Sequence, residues 1–270
     1  MNKTESLMLD MLKKGRDHHG VVAVKAEFEA EGTRPDELLR LLELARRADL
    51  KVALKIGGCE AVSDLLASRL YGIDYIIAPM VETPYALSKF ADARDKVYGK
   101  GQTDTQFLFN LETQATLEAL DAMLPIARER LDGVVFGRVD FTLSRGLPRN
   151  AINEPQITQA VLQAAEACKR HDLELVVGGS VSAEAREALR AIRAVRLDRF
   201  ETRKVIFDGS AADAGDFAEG IANAVAFELA WLENKQAYYQ TISAEDQARI
   251  KMMRDRAPST TSEALKSFAA

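Results

Sequence analysis

Seven Val-, Ile- and Phe-rich runs of strand length alternate along this chain with amphipathic stretches of helical spacing. The strand-like runs are Val21–Glu29, Lys51–Ile56, Asp74–Val81, Gln106–Glu112, Gly133–Asp140, Leu173–Gly178 and Phe200–Phe207. Between them lie Pro35–Ala48, Glu60–Leu70, Pro84–Val97, Thr116–Leu131, Pro155–His171 and Ala183–Ala194. Strand alternating with helix implies crossover connections and a parallel sheet covered by helices. With connections this short, a closed (β/α)8 barrel is favoured over an open doubly wound sheet. No dinucleotide fingerprint is present, because Gly57-Gly58 and Gly178-Gly179 lack the Gly-x-Gly-x-x-Gly spacing. A full barrel needs an eighth strand. Either it lies in the poorly marked segment near Asp17–Gly20, or the barrel is incomplete.

The length of 270 residues suits one such barrel, a fold that runs to about 250 residues as a single domain. We expect the barrel over residues 1–213, a helical extension over 214–256 and a loose tail over 257–270. The extension carries Phe227, Trp231, Tyr238 and Tyr239, a set that either contacts another subunit, making a homo-oligomer, or caps its own barrel. A hydrophobic fraction of 47% with 29% charged residues is that of a soluble globular chain. The formal net charge of −5, without a basic patch, argues against nucleic acid as a partner. No apolar run approaches the ~20 residues of a membrane span, and Met1-Asn-Lys-Thr-Glu5 lacks the apolar core of a signal peptide. Cys59 and Cys168 show no metal-type spacing; they read as reduced thiols of a cytoplasmic protein.

Barrel active sites sit where the strands end, and two of the runs end in carboxylates. These are Phe107-Leu-Phe-Asn-Leu-Glu112-Thr113 and Gly133-Val-Val-Phe-Gly-Arg138-Val-Asp140-Phe. Acidic side chains on neighbouring strand ends can hold one hard divalent cation, so Glu112 and Asp140 are the candidate metal ligands. Side chains alternate across a strand, which sharpens the site. Val22, Val24, Ala26 and Phe28 suit helix packing and leave Lys25, Glu27 and Glu29 on the other face. Val52, Leu54 and Ile56 leave Ala53 and Lys55 inward, and Phe107, Phe109 and Leu111 leave Asn110 and Glu112. Arg138 and Asp140 share a face if the strand continues that far. In the last run, either Arg203 or Lys204 reaches the mouth. Buried charges must pair with one another, a metal or a ligand; a salt-bridge lattice that merely fills the barrel is the alternative. His18, His19 and His171 precede strands, at the far end from the chemistry, and are set aside as ligands or bases.

Three segments together resemble the HpcH/HpaI aldolase/citrate lyase family: Ile77-Ala-Pro-Met-Val-Glu-Thr83, Asn110-Leu-Glu-Thr113, and Leu131 to Gly146. The similarity runs from about Val21 to Phe207. It implies a modified (β/α)8 barrel of the phosphoenolpyruvate/pyruvate type with an atypical or missing first strand. It also implies Mg2+ or Mn2+, and a carbon–carbon bond made or broken beside a pyruvate-type enolate, with Glu112 and Asp140 matching the family's metal-binding Glu and Asp. On this reading Lys55 and Arg138 stabilise the enolate or bind the substrate carboxylate, and Glu27 or Glu29 acts as base or orders a water. Asn110, Gly57, Gly58, Gly178, Gly179 and Ser180 line the substrate, a small 2-oxo acid, either plain or phosphorylated at the Gly178–Ser180 loop. The chain departs from the family in three places. Lys55 stands where its aldolases carry Arg, Glu29-Ala-Glu-Gly-Thr-Arg34 replaces the loop with their catalytic His, and Arg138 replaces a small residue or Pro. Decarboxylation, hydrolysis, phosphonate chemistry, or oxo-acid binding without turnover are the alternatives these departures raise.

Overall fold

The computed structural model describes residues 1–102 and 104–257; of the expected tail, 258–270 lies outside the described residues. The chain divides into two compact units, Met1–Glu228 and Leu229–Ala270. The first is a closed eight-stranded barrel with the strands in sequence order. Its strands are β1 Val21–Glu27, β2 Lys51–Lys55, β3 Tyr75–Ala78, β4 Gln106–Leu111, β5 Gly133–Gly137, β6 Glu174–Gly178, β7 Arg199–Glu201 and β8 Val205–Asp208. The helices are α1 Lys3–His19, α2 Pro35–Arg47, α3 Val62–Tyr71, α4 Pro84–Tyr98, α5 Gln114–Arg130, α6 Arg138–Ser144, α7 Pro155–His171, α8 Arg186–Arg193 and α9 Phe217–Arg256. None of the described helices is long and apolar enough to cross a membrane.

The eighth strand differs from the expectation in place and direction. Asp17–Gly20 is no strand: it is the last turn of α1, closed by Gly20 at φ 69°. The run Phe200–Phe207 instead folds back on itself at Thr202–Lys204, giving β7 and β8. β8 runs antiparallel to both β7 and β1, with a register shift between Val21 and Ala23. A hairpin from the C-terminal side thus fills the gap that the missing parallel strand leaves. The backbone groups of β1 and β7 that would otherwise be an open sheet edge are paired.

The bore is built in layers, as alternation requires. Ala23, Ala53, Tyr75, Ile77, Leu108, Val135, Val176 and Ile206 form its buried apolar middle. At the strand starts, three aspartates repeat one device. The carboxylates of Asp74, Asp132 and Asp198 accept the amides of Val52, Phe107 and Leu175 at 2.8, 2.7 and 2.7 Å. Their own amides donate to the carbonyls of the same three residues. Each aspartate so locks the start of the strand preceding its own, a double bond that a slanted parallel ladder leaves unmade at its end.

Candidate active site at the barrel mouth

Beyond the apolar middle layer, toward the C-terminal ends of the parallel strands, the inward positions turn polar. Lys25 and Glu27 come from β1, Lys55 from β2, Asn110 and Glu112 from β4 and just after it, and Glu201 from β7; all are buried. On β5 and β6 the corresponding positions are Gly137 and Gly178.

Glu112 is placed by local sequence as much as by the barrel. Glu-Thr follows the β4 strand, and Thr113 immediately caps α5, its Oγ1 accepting the Thr116 amide at 3.2 Å. Val81-Glu82-Thr83 repeats the pattern ahead of α4, with Thr83 accepting the Ala86 amide at 3.1 Å. A Thr N-cap stops the strand within one residue of the glutamate, so the glutamate stays at the rim. Glu112 is only 2% exposed. Its Oε1 accepts the Met80 amide at 2.9 Å, and its Oε2 accepts the Asn110 amide group at 2.6 Å and the Lys55 ammonium at 3.5 Å. Met80 adopts φ 49°, a left-handed conformation costly for a long side chain, and that turn aims its N–H at Glu112. The Glu112 side chain leans across Gly137, where an added Cβ would come within 2.9 Å of the Glu112 Cβ.

Five further ion pairs complete the mouth. Lys25 bridges Glu201 and Glu27, the latter at 3.2 Å. Lys55 reaches Glu29 at 3.3 Å. Glu31 pairs with Lys204 and, at 2.9 Å, with Arg203. Both members of the Arg203/Lys204 alternative therefore meet the mouth, because they sit on a turn rather than on a strand. Burial disfavours charge on Lys25, but Glu201 and Glu27 outweigh it and hold the ammonium above the ordinary lysine range. Burial likewise works against the Glu27 carboxylate, yet Lys25 and Lys55 keep its pKa below the usual value. Lys204 shifts down, since burial exceeds the help of Glu31.

Other expected site residues do not sit on the inward strand faces assigned to them. β5 ends at Gly137, so Arg138 and Asp140 lie in the first turn of α6 and not on one strand face. Two residues apart on a helix, they point in different directions. Asp140 is exposed. Arg138 is 2% exposed and spans three acceptors: the Gly178 and Gly179 carbonyls at 3.2 and 2.9 Å and Asn153 Oδ1 at 3.0 Å. Burial pulls its guanidinium down to about 10. A side chain so engaged clamps the loop after β6, with three of its five N–H donors taken there. That loop is also filled from below, because a Cβ on Gly179 would meet the Val139 and Arg138 amide nitrogens at 2.7 and 2.8 Å. Its Ser180 is exposed and accepts from Arg149 at 3.2 Å. The Gly57 amide is taken by Asp64 Oδ2 at 2.7 Å, so Gly57 serves the turn into α3, and Gly58 follows it in the same turn. None of the three histidines enters the mouth. His18 and His171 end helices, and buried His19 binds Asp216 at 2.7 Å, far along the chain. Burial raises the Cys59 thiol, which fits a small packing residue and not a nucleophile.

The donor set suits a hard divalent cation. Among the described residues no three His, Cys, Asp or Glu side chains form a ready-made cage. Mg2+ rarely needs one, since it takes one or two carboxylates and fills its shell with water and substrate. Glu112 Oε1 keeps a lone pair beyond the Met80 amide, whereas Oε2 already meets two donors. Beside it, Asn110 Oδ1 is buried without a hydrogen-bond partner, a carbonyl-type oxygen of the kind such cations coordinate.

Comparison with known proteins gives one consistent result. The model of the HpcH/HpaI aldolase/citrate lyase family matches residues 36–198. The fold is similar to an HpcH/HpaI aldolase from Desulfitobacterium hafniense DCB-2, at 13% identity, TM-score 0.57, and coverage of 93% of this chain and 90% of that one. It is also similar to an HpcH/HpaI aldolase/citrate lyase family protein from Burkholderia cenocepacia J2315, at 12% identity, TM-score 0.60 and 90% coverage of both. No curated protein matches the sequence.

Proposed function

We infer, from the premise that this chain belongs to the HpcH/HpaI aldolase/citrate lyase family, that it is a lyase cleaving a carbon–carbon bond of a small 2-oxo acid. The observation that carries the reading is Glu112, a buried carboxylate at the end of β4 held by three donors and flanked by an acceptor with no donor. Glu112 and Asp140 would hold Mg2+ or Mn2+, with Asn110 Oδ1 beside them. When bound, that ion supplies a Lewis acid to the substrate's carboxylate and keto oxygens. The protein's own residues supply the rest. Lys55, fixed between Glu29 and Glu112, puts a positive charge where the keto oxygen gains negative charge as the bond breaks, which favours the transition state over the ground state. Unlike Arg it is a point charge and cannot grip a carboxylate through two parallel bonds. Glu29, the less buried carboxylate on Lys55, would carry the proton at C3, and Glu27 pairs with Lys25. The lack of a large basic loop favours a free acid over an acyl-CoA.

Enolisation of pyruvate is the partial reaction that tests this. In heavy water with Mg2+ or Mn2+, the protein should exchange the pyruvate methyl protons, read by nuclear magnetic resonance. Glu112→Gln and Asp140→Asn should lose that exchange by about a thousandfold or more. Exchange at the parent rate in both variants, with metal in excess, would remove the assignment. The absence of a histidine in the mouth supports one second reading, an oxo-acid binder without turnover. Oxalate with Mg2+ would then raise the melting temperature while no 2-oxo acid exchanged or broke down.

We also place a second copy of the chain against α9, which exposes Leu229, Leu232, Tyr238, Ile242, Ile250 and Met253. Exposed apolar side chains at this density on one helix are unusual for a monomer. A monomer mass by light scattering would rule this out. Both cysteines are free thiols, in keeping with a reducing compartment such as the cytoplasm.

A further inference from the structure

Breaking a carbon–carbon bond beside a pyruvate-type enolate leaves one proton to be received. In a 4-hydroxy-2-oxo acid the C4 O–H bond breaks, a carbonyl forms at C4 and the C3–C4 bond breaks. Its electron pair passes to the C2 oxygen, and the enolate then takes a proton at C3, so that aldehyde and pyruvate together account for every atom. No histidine is present to take the C4 proton, and Arg138 has no acceptor.

Glu201 has the geometry for it. The residue is 3% exposed, its Oε1 is bound by Lys25, and its Oε2 is buried with no hydrogen-bond partner. The carboxylate lies across Gly178, where an added Cβ would come within 2.8 Å of Oε1. Gly178 is two residues beyond Val176 of the bore's middle layer, so this is the inward face of the mouth. Glu112 lies across Gly137 in the same way. The adjacent ends of β5 and β6 therefore present no side chain, and a glutamate leans over that bare floor from each side. A carboxylate oxygen buried without a donor costs free energy in the free protein, and a hydroxyl seated on the glycine floor would relieve it.

We propose that Glu201 is the residue that binds the substrate's hydroxyl group, Oε2 accepting its hydrogen bond and then its proton, with Lys25 as the positioning residue that fixes Oε1. The proton transfer rests on the lyase reading given above; the hydroxyl contact does not.

The test has two arms. In the first, calorimetry with Mg2+ present compares 2,4-dihydroxybutyrate with 2-hydroxybutyrate, neither of which can form an enolate because C2 is no longer a ketone. The parent should bind the dihydroxy acid about tenfold tighter, the size of one hydrogen bond to a charged acceptor. Glu201→Gln should reduce that preference to about twofold, and Glu201→Asp should restore part of it. In the second arm, Glu201→Gln should slow cleavage of a 4-hydroxy-2-oxo acid at least about tenfold more than it slows exchange of the pyruvate methyl protons. Equal binding of the two acids by the parent overturns the proposal, and so does cleavage by Glu201→Gln at the parent rate. Loss of exchange and cleavage together in a folded Glu201→Gln also overturns it. A parent that never exchanges pyruvate, yet shows the hydroxyl preference and loses it in Glu201→Gln, upholds the hydroxyl site and defeats the lyase reading instead.

Discussion

At the N-terminal end of the bore, Arg199 is held by Glu174 and Gln106 and lies 4.3 Å above the Tyr75 ring, while three aspartates close the strand starts. At the C-terminal end, Glu112 and Glu201 lean over bare glycines, and Asn110 Oδ1 and Glu201 Oε2 have no donor. The same barrel thus buries charge in two ways. Where partners are complete, charge serves to close the structure. Where acceptors are left open, the protein holds free energy in reserve for a ligand. Among the described residues four buried side-chain atoms lack a partner, His19 Nε2 and Arg94 Nε besides these two, and the two carboxylate- or amide-type acceptors among them both belong to the C-terminal mouth.

The contrast can be broken at three points. Arg138 is a structural clamp standing at the functional end, so Arg138→Leu should be the most damaging change. It strips the donor from the Gly178 and Gly179 carbonyls and from Asn153, and should cost about 3–4 kcal/mol in urea unfolding. A cost under about 1 kcal/mol would show that the loop holds without it. The next test sets the two ends against each other. Gly137→Ala meets the Glu112 Cβ at 2.9 Å, a contact that no side-chain swing relieves, and should slow pyruvate exchange about 100-fold, or ~2.7 kcal/mol in the barrier. Asp132→Ala removes the bond to the Phe107 amide at the other end. It should lower stability by about 1–2 kcal/mol and leave exchange untouched. If the aspartate variant also lost exchange, the ends would be coupled and the division drawn here would fail.

The smallest effect concerns pH. Glu27 has a depressed pKa in the folded state, against burial, because of Lys25 and Lys55. Its contribution is therefore present above the unfolded value of about 4.3 and fades as pH falls through the folded one. Lys25 is raised, so its contribution is present below about 10.4 and fades as pH rises through the folded value. Glu27→Gln should flatten the acid limb of the stability curve and Lys25→Met the alkaline limb. Chemical denaturation across pH would detect either, and unchanged limbs would mean that the pairs contribute nothing.

How far the chain could be read in advance varies by residue. The parallel units were legible because each needs only local period and composition, and Ala53, Leu108 and Asn110 face inward as alternation requires. The hairpin of β7 and β8 was not. Glu201-Thr-Arg-Lys204 is a run of four polar residues between Phe200 and Val205, and only the antiparallel pairing of β8 with β7 and β1 shows that the chain turns there. Arg138 was misplaced for a related reason: Val139 and Phe141 continue the apolar alternation of β5, although the chain has already turned into α6. Lys25 lay on the expected face, but its partner Glu201 is 176 residues away, and no spacing announces such a pair.

Sequence alone determined which side of each strand is polar, that carboxylates end β4 and follow β5, and that the chain is an α/β barrel of this family, since periodicity, caps and motif all act within a few residues. Tertiary structure decided that the eighth strand runs backwards, that Arg138 holds carbonyls, and that Glu201 keeps an oxygen open. Those outcomes depend on which charges meet after the barrel closes. Burial gives such meetings their energy, and burial exists only in the folded chain.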